Sequence, residues 1–171
     1  FHLYKPNIAL LSGIAWDHIN VFPTLENYVE QFETFLKCLS NGAIMVYNEE
    51  DELVKKVVES SDQHMKRYPY GIPEHYIEDG QTFIETEEGP LPIEVFGKHN
   101  LSNLAGAKWI CQHMGIDEDE FYEAIATFMG ASKRLEKIAE GKGKVAYKDF
   151  AHSPSKVKAT TSAVANQYSE R

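Results

Sequence analysis

The segment Phe96-Gly97-Lys98-His99-Asn100-Leu101-Ser102-Asn103 sets two carboxamides three residues apart, at the expected start of a helix that follows a strand. That spacing puts Asn100 and Asn103 one turn apart on the same helix face. Each carboxamide carries a donor and an acceptor, which suits the paired donor and acceptor edge of an adenine. The competing reading is helix capping, in which first-turn Asn residues satisfy backbone N–H groups. A second stretch, Ala15-Trp16-Asp17-His18-Ile19-Asn20, lies just after the first expected strand. Loops at the carboxyl ends of parallel strands form the ligand crevice. A carboxylate, an imidazole and a carboxamide there can hold a hard divalent metal and its waters. The plainer alternative is that Asp17 fixes the tautomer of His18. A third stretch, Lys148-Asp149-Phe150-Ala151-His152-Ser153-Pro154, also ends a strand. Asp149 can accept from ribose hydroxyls, and His152 precedes a helix start; otherwise Asp149 and Ser153 simply cap and terminate elements. Arg134, after Met129-Gly130-Ala131-Ser132-Lys133, reads by itself as a solvated cation.

The elements that must position these residues are those of an α/β protein. Asn7 to Ser12 is short and continuously apolar, as a strand buried on both faces should be. Thr24 is expected to cap a helix whose apolar residues recur from Leu25 to Leu39, closed by Asn41-Gly42. Ala43 to Tyr47 reads as a second buried strand, and Asn48 as the cap of a short helix carrying Leu53, Val54, Val57 and Val58. That order argues for parallel pairing with crossover helices. From Tyr68 to Phe96 prolines and glycines interrupt the pattern, and Gln81–Thr86 with Leu91–Phe96 reads as an antiparallel hairpin. Helices are expected from Asn100 to Met114 and after the capping box Asp117/Glu120. Gly130 marks a domain edge. Beyond it come the turn Gly141-Lys142-Gly143, a strand from Lys144 to Phe150, and a helix opened by Ser153-Pro154 with Val157, Thr161, Val164 and Tyr168 inward.

Composition bounds the partners. With 43% apolar and 12% aromatic residues among 171, a core can form. A net charge of −9 and no basic cluster argue against nucleic acid or an anionic membrane as partner. No apolar run reaches the length of a membrane span. Cys38 and Cys111 read as two buried thiols in a reducing compartment, hence cytoplasm. No nucleophile elbow, cysteine pair with metal spacing or G-x-x-x-x-G-K-[ST] loop occurs in the sequence, so the usual grip on nucleotide phosphates is missing. Opening at Phe1 directly into a strand-like run, and closing on a piece too short for an α/β domain, the chain is expected to be part of a longer protein.

In their order and spacing these segments resemble the Mur ligase family: strand then Asp17-His18, Gly97-x-His99-Asn100-x-x-Asn103 at a helix start, Arg134 after Phe128-x-Gly130, then Asp149-Phe150-Ala151-His152-x-Pro154 before a helix. The resemblance covers nearly the whole chain and is closest to the branch acting on UDP-N-acetylmuramate. It implies the later part of a P-loop-type central ATP-binding domain over residues 1–128, a parallel sheet with helices plus a small antiparallel hairpin region. Residues 129–171 would begin a Rossmann-like C-terminal domain. ATP and magnesium are the implied cofactors, with UDP-N-acetylmuramate and an amino-acid or peptide acceptor as substrates. The resemblance gives His18 to magnesium, Asn100 and Asn103 to adenine, Arg134 to the nucleotide from the next domain and Asp149 to the ribose. His152 falls near the same site without a defined role. His18 and Arg134 are thereby the candidate catalytic residues.

The sequence departs from the family pattern at Asn20, where members often carry Asp, and at Ser153, where a second His is frequent. Phe32 and Glu33 stand where several sister ligases carry a carbamoylated lysine. Arg134-Leu135 with Asp149-Phe150 favours a tripeptide-adding member over an alanine-adding one. The function implied is an ATP-dependent amide ligase of peptidoglycan synthesis or recycling, inactive as this piece alone. The alternatives are the alanine ligase and a non-catalytic nucleotide-binding module.

Overall fold

The structure, a computed structural model, describes residues 2–169. It divides into two compact units. The first takes the residues up to Gly71 together with Ser102–Ile116; the second takes Ile72–Leu101 together with the residues from Asp117 onward.

The first unit is built on three parallel strands in the order β1 (Ile8–Leu11), β2 (Ala43–Asn48), β3 (Met65–Tyr70). Helices α1 (Leu25–Lys37) and α2 (Glu52–Glu59) make the crossovers. Thr24 caps α1 as expected, its hydroxyl accepting from Asn27 N at 3.1 Å. The cap of α2 is Asp51, not Asn48, because Asn48 still belongs to β2 and its Oδ1 accepts from Glu50 N in a local turn. Alternation along central β2 sends Met45 and Tyr47 toward α1 and α2, where Leu36, Val54 and Val58 are fully buried. Val46 packs on the opposite side with Tyr70 and Ala105. On that side runs α3 (Lys98–His113), whose first turn belongs to the second unit. Gly106 permits the approach: a Cβ there would stand 2.9 Å from the Tyr70 ring and 3.0 Å from Leu10 Cδ1.

Three readings need correction here. β1 is not buried on both faces; Leu10 is 37% exposed, as suits an edge strand among the three. β3 went unread because Pro69 interrupts it, yet Pro69 pairs in register with Tyr47 on an edge strand, where proline is tolerated. The two cysteines are partly, not fully, buried.

The second unit holds two antiparallel sheets. β4 (His75–Glu78), β5 (Gln81–Thr86) and β6 (Gly89–Ile93) form a meander, with Ile84 and Ile93 on its buried side. The expected hairpin is present, but β6 starts two residues early because Thr86 pairs with Gly89 across a two-residue turn. Helix α4 (Glu118–Ala126) opens with the expected capping box of Asp117 and Glu120. β7 (Glu136–Gly141), charged and exposed, pairs with β8 (Lys144–Lys148). Helix α5 (Pro154–Gln167) follows, with Pro154 in its first turn. Its buried residues are Ala163 and Gln167; of the expected stripe Val164 and Tyr168 are half-buried, while Val157 and Thr161 face solvent. Gln167 is inward because it completes a polar clamp, accepting from the Thr82 hydroxyl at 3.0 Å and donating to Gly80 O at 2.7 Å.

Candidate nucleotide site

The loop after β1 is tied down by one carboxylate. Asp51 Oδ1 accepts from Leu53 N and Val54 N at the start of α2, while Oδ2 accepts from Ile14 N at 3.0 Å. Asn48 donates to Ser12 O at 3.2 Å, and Trp16 Nε1 to Phe22 O at 3.0 Å. Between these anchors the His18 carbonyl accepts from Val21 N and Phe22 N, and His18 itself takes a left-handed φ of 57°. That conformation is uncommon outside glycine, though His, Asn and Asp adopt it more readily than most. Asp17 Oδ1 accepts from the His18 backbone N–H at 2.8 Å. The imidazole is exposed and makes no hydrogen bond among the described residues, so the tautomer-fixing alternative has no support in the geometry.

Magnesium demands near-octahedral coordination, mostly by oxygen and water. Among the described residues no three His, Cys, Asp or Glu side chains gather as a metal site. His18 alone does not compose one.

At the start of α3, Gly97 adopts φ 86° and its carbonyl accepts from Asn100 N and Leu101 N. Asn100 is half-buried and donates Nδ2 to Phe96 O at 2.9 Å, which fixes the amide and turns its donor toward a carbonyl. It therefore does not cap backbone N–H groups. Asn103, one turn on, is exposed, and its carboxamide has no partner among the described residues. Neither amide serves the capping role that competed with the nucleotide reading.

The third cluster lies wholly in the second unit. Asp149, at the end of β8, accepts from Leu135 N at 3.4 Å through Oδ1, and Phe150 N donates to Lys133 O at 2.9 Å. These bonds bring the Arg134 loop and the Asp149 loop side by side. Lys133 and Leu135 on either side of Arg134 both have left-handed φ, 59° and 49°, which sharply bends the chain about an exposed guanidinium. Asp149 Oδ2 is buried with no hydrogen-bond partner. His152 is exposed, with Nδ1 bonded to Phe150 O at 2.8 Å. Ser153 occupies the N-cap of α5, though without a side-chain cap bond, and Asp149 directly follows the last residue of β8, so both stand where the element-ending reading puts them.

Residue-type reasoning missed His99. It is half-buried, its ring packed beside Gly97, and burial lowers its pKa from the usual 6.5 while the Asp149 carboxylate opposes that shift. Proximity to a residue fifty positions away leaves no local mark in a sequence.

Residues 2–111 match the family model described as Mur ligase middle domain. The chain belongs to the Mur ligase family. Among curated relatives it is 30% identical over 170 residues to the UDP-N-acetylmuramate–L-alanine ligase of Arthrobacter sp. (strain FB24), covering 94% of this chain and 36% of the relative. It is also 30% identical over 183 residues to the enzyme of that name from Desulforamulus reducens, covering all of this chain and 40% of the relative. The chain thus spans well under half the length of these relatives. Among solved structures, MurF from Acinetobacter baumannii superposes with a TM-score of 0.78 at 14% identity, over 94% of this chain and 38% of that one. MurF ligase from Thermotoga maritima in complex with ADP gives 0.74 at 20% identity, over 95% and 40%. At such identities the structural likeness establishes the Mur ligase fold alone.

Proposed function

We propose that this chain forms the adenosine-binding part of an ATP-dependent amide ligase that joins L-alanine to the carboxylate of UDP-N-acetylmuramate. The observation that carries the reading is the α3 start. Asn100 is oriented by Phe96 O and Asn103 is left unengaged, so two amides one turn apart are available to a purine edge. Asp149 supplies a carboxylate oxygen for ribose hydroxyls, and Arg134 a cation for the phosphates. His18 is a single contact toward magnesium. Its other ligands, and the loop that grips the phosphates, we assign to sequence outside this chain. Residues 129–171 then begin the C-terminal domain, consistent with a middle-domain match that ends at residue 111.

In the reaction a substrate carboxylate oxygen attacks the γ-phosphorus of ATP and ADP leaves, giving an acyl phosphate. The acceptor amine attacks the acyl carbon, phosphate departs from the tetrahedral intermediate, and the nitrogen loses a proton. Chemistry of this kind rests on positioning and charge stabilisation. Alanine is preferred as acceptor to the tripeptide suggested by Arg134-Leu135 and Asp149-Phe150, because the two curated relatives described above both carry the alanine-ligase name. The setting we propose is the cytoplasm; no helix among the described residues is long and apolar enough to cross a membrane.

The test is ligation by the full protein with ATP and UDP-N-acetylmuramate, supplying L-alanine or L-alanyl-γ-D-glutamyl-meso-diaminopimelate and following phosphate release and product mass. Turnover with alanine supports the reading, and turnover with the tripeptide alone replaces the acceptor. ATP binding without ligation of either identifies a non-catalytic nucleotide module instead.

A further inference from the structure

Glycine is unfavourable in the middle of a helix, yet α3 carries Gly106 there, flanked by Ala105 and Ala107. Propensity alone would place alanine at this position; the packing does not allow it. A Cβ on Gly106 would stand 2.9 Å from both Cζ and Oη of Tyr70 and 3.0 Å from Leu10 Cδ1. The Tyr70 ring cannot simply retreat. It is rigid, buried, and packed with Val46 and Ala105. Tyr70 is the last residue of β3, and Leu10 the last but one of β1. From Gly106 against Tyr70, the contacts of α3 pass to Trp109 and His113 against Tyr68, with ring centroids 5.6 and 4.3 Å apart. The helix therefore runs antiparallel to β3, starting at the strand's carboxyl end. Asn103 lies one turn before Gly106 on the same face, about 4.5 Å further along the axis. That turn carries it past the end of β3, to the place where parallel sheets bind ligands. Asn103 is exposed there, although Ser102 and Leu104 on either side are buried. All of these residues belong to the first unit.

We propose that Gly106 is a positioning residue for the purine: by its contact with Tyr70 it sets how far the Asn103 carboxamide reaches into the crevice beyond the strand ends. This rests on the nucleotide reading of the α3 start. The physical basis is the narrow geometry of amide recognition. A carboxamide reads a purine edge through two hydrogen bonds at once, and both must be near their proper length and angle. A methyl group at position 106 reaches ordinary carbon–carbon contact only if ring and helix part by roughly 0.6 Å. Because the ring is confined, the helix gives way, and Asn103 moves with it. A displacement of that size exceeds the roughly 0.5 Å within which a binding geometry must be held. The phosphate contacts assigned above lie outside this helix, so the loss falls on base recognition.

The probes are ADP and GDP, titrated calorimetrically into the full protein, with circular dichroism as the check on folding. Gly106→Ala should bind ADP about tenfold more weakly, the scale of one bidentate amide–base contact, while GDP binding changes little, so that the preference for ADP narrows. Asn103→Ala should show the same loss, and adding Gly106→Ala to it should weaken ADP binding no further. Tyr70→Leu, which removes the end of the ring, should restore the preference for ADP when combined with Gly106→Ala. A folded Gly106→Ala protein with the wild-type preference would overturn the proposal. Equal weakening toward ADP and GDP, or losses that add in the double variant with Asn103→Ala, would do the same. Should Gly106→Ala alone fail to fold, its combination with Tyr70→Leu decides: a wild-type preference for ADP supports the role, and a narrowed one rejects it. Asn103→Ala separates the two levels of inference. Unchanged ADP binding there rejects the nucleotide reading, whereas weaker binding there with no effect of Gly106→Ala rejects only the role of Gly106.

Discussion

The loop after β1 grows out of a strand whose Ala9 and Leu11 are buried, and it is bonded through Asp51 to the first turn of a helix whose Val54, Val57 and Val58 are also buried. The loop around Arg134 leads into β7 and the loop around Asp149 leaves β8, strands where most residues are exposed, and the first is shaped by two non-glycine residues in left-handed conformation. The first region holds its shape by burial and one shared carboxylate. The second holds its shape by backbone geometry and a few hydrogen bonds, with one carboxylate oxygen left unsatisfied. Loops with little buried apolar surface open locally at low free-energy cost. We therefore expect the first region to behave as part of a rigid scaffold and the second as the part that a ligand orders.

The largest effect should come from Asp51. Asp51→Ala removes the cap of α2 and the anchor of Ile14 together, costing roughly 2 kcal/mol, from a cap worth about 1 kcal/mol and a comparable loss at the orphaned Ile14 N–H. Asp51→Asn divides the two roles. Its carbonyl oxygen can still cap, but its amide nitrogen cannot accept from Ile14 N, so stability in urea should recover about half while hydrogen exchange at Ile14 stays fast. Full recovery of both would show that the loop does not depend on this bond, and the contrast between the regions would weaken.

The corresponding tie in the second unit is Gln167. Gln167→Leu keeps the size of the side chain but leaves Thr82 Oγ1 and Gly80 O without partners, costing roughly 1–2 kcal/mol. Adding Thr82→Val should restore part of that loss, since replacing both members of a buried polar pair is milder than replacing one. A double mutant that is simply additive would mean that the clamp does not couple α5 to the β4–β6 sheet.

Much of this was readable and the reasons are local. Thr24 and the Asp117/Glu120 box announce helix starts because capping is a short-range interaction, and Ser153-Pro154 does so because proline is pre-shaped for the first helical turn. The hairpin β5–β6 was visible in its alternation. β3 and β7 were not, one because of Pro69 and the other because Glu136, Lys137 and Glu140 give it no apolar face. The inward face of α5 is legible only in part: Val164 and Tyr168 are half-buried, with Tyr168 bonded to Tyr147, but Val157 and Thr161 are exposed and the buried pair, Ala163 and Gln167, is one that no hydrophobic pattern selects. In the candidate site, Asn100, Asn103 and Asp149 were legible from type and spacing. The role of Asp51 depends on a partner 37 positions away and had to be seen in three dimensions.

Titration gives a smaller effect that distinguishes the two regions. Burial lowers the His99 pKa below 6.5, so the unfolded chain takes up a proton at a higher pH than the folded one. Its contribution is therefore flat above about pH 6.5 and turns destabilising as pH falls from there to the folded-state value. His99→Gln should make urea stability less steep in that window, measured against wild type at matched ionic strength. An unchanged slope would place the acid sensitivity elsewhere.

The smallest expected change lies at the tip of β7–β8, where Lys142 and Gly143 have φ 49° and 72° between the paired Gly141 and Lys144. Two successive residues with positive φ define the turn that favours Asn-Gly, because it matches the right-handed twist of the flanking strands. Lysine there meets the Cβ–carbonyl crowding of the left-handed region, about 1–2 kcal/mol for an ordinary L-residue, whereas asparagine is more tolerant. Lys142→Asn should therefore raise stability by roughly 0.5 kcal/mol, measurable as a small increase in Tm, without touching any candidate site residue. If the second unit is held by backbone geometry, relief of this strain should appear as slower hydrogen exchange along β7 and β8. The loop after β1, anchored by Asp51, should show no change. A gain in Tm with exchange in the hairpin unaltered would mean that the hairpin is already as firmly held as the parallel sheet, and that the contrast between the two regions is one of exposure rather than of stability.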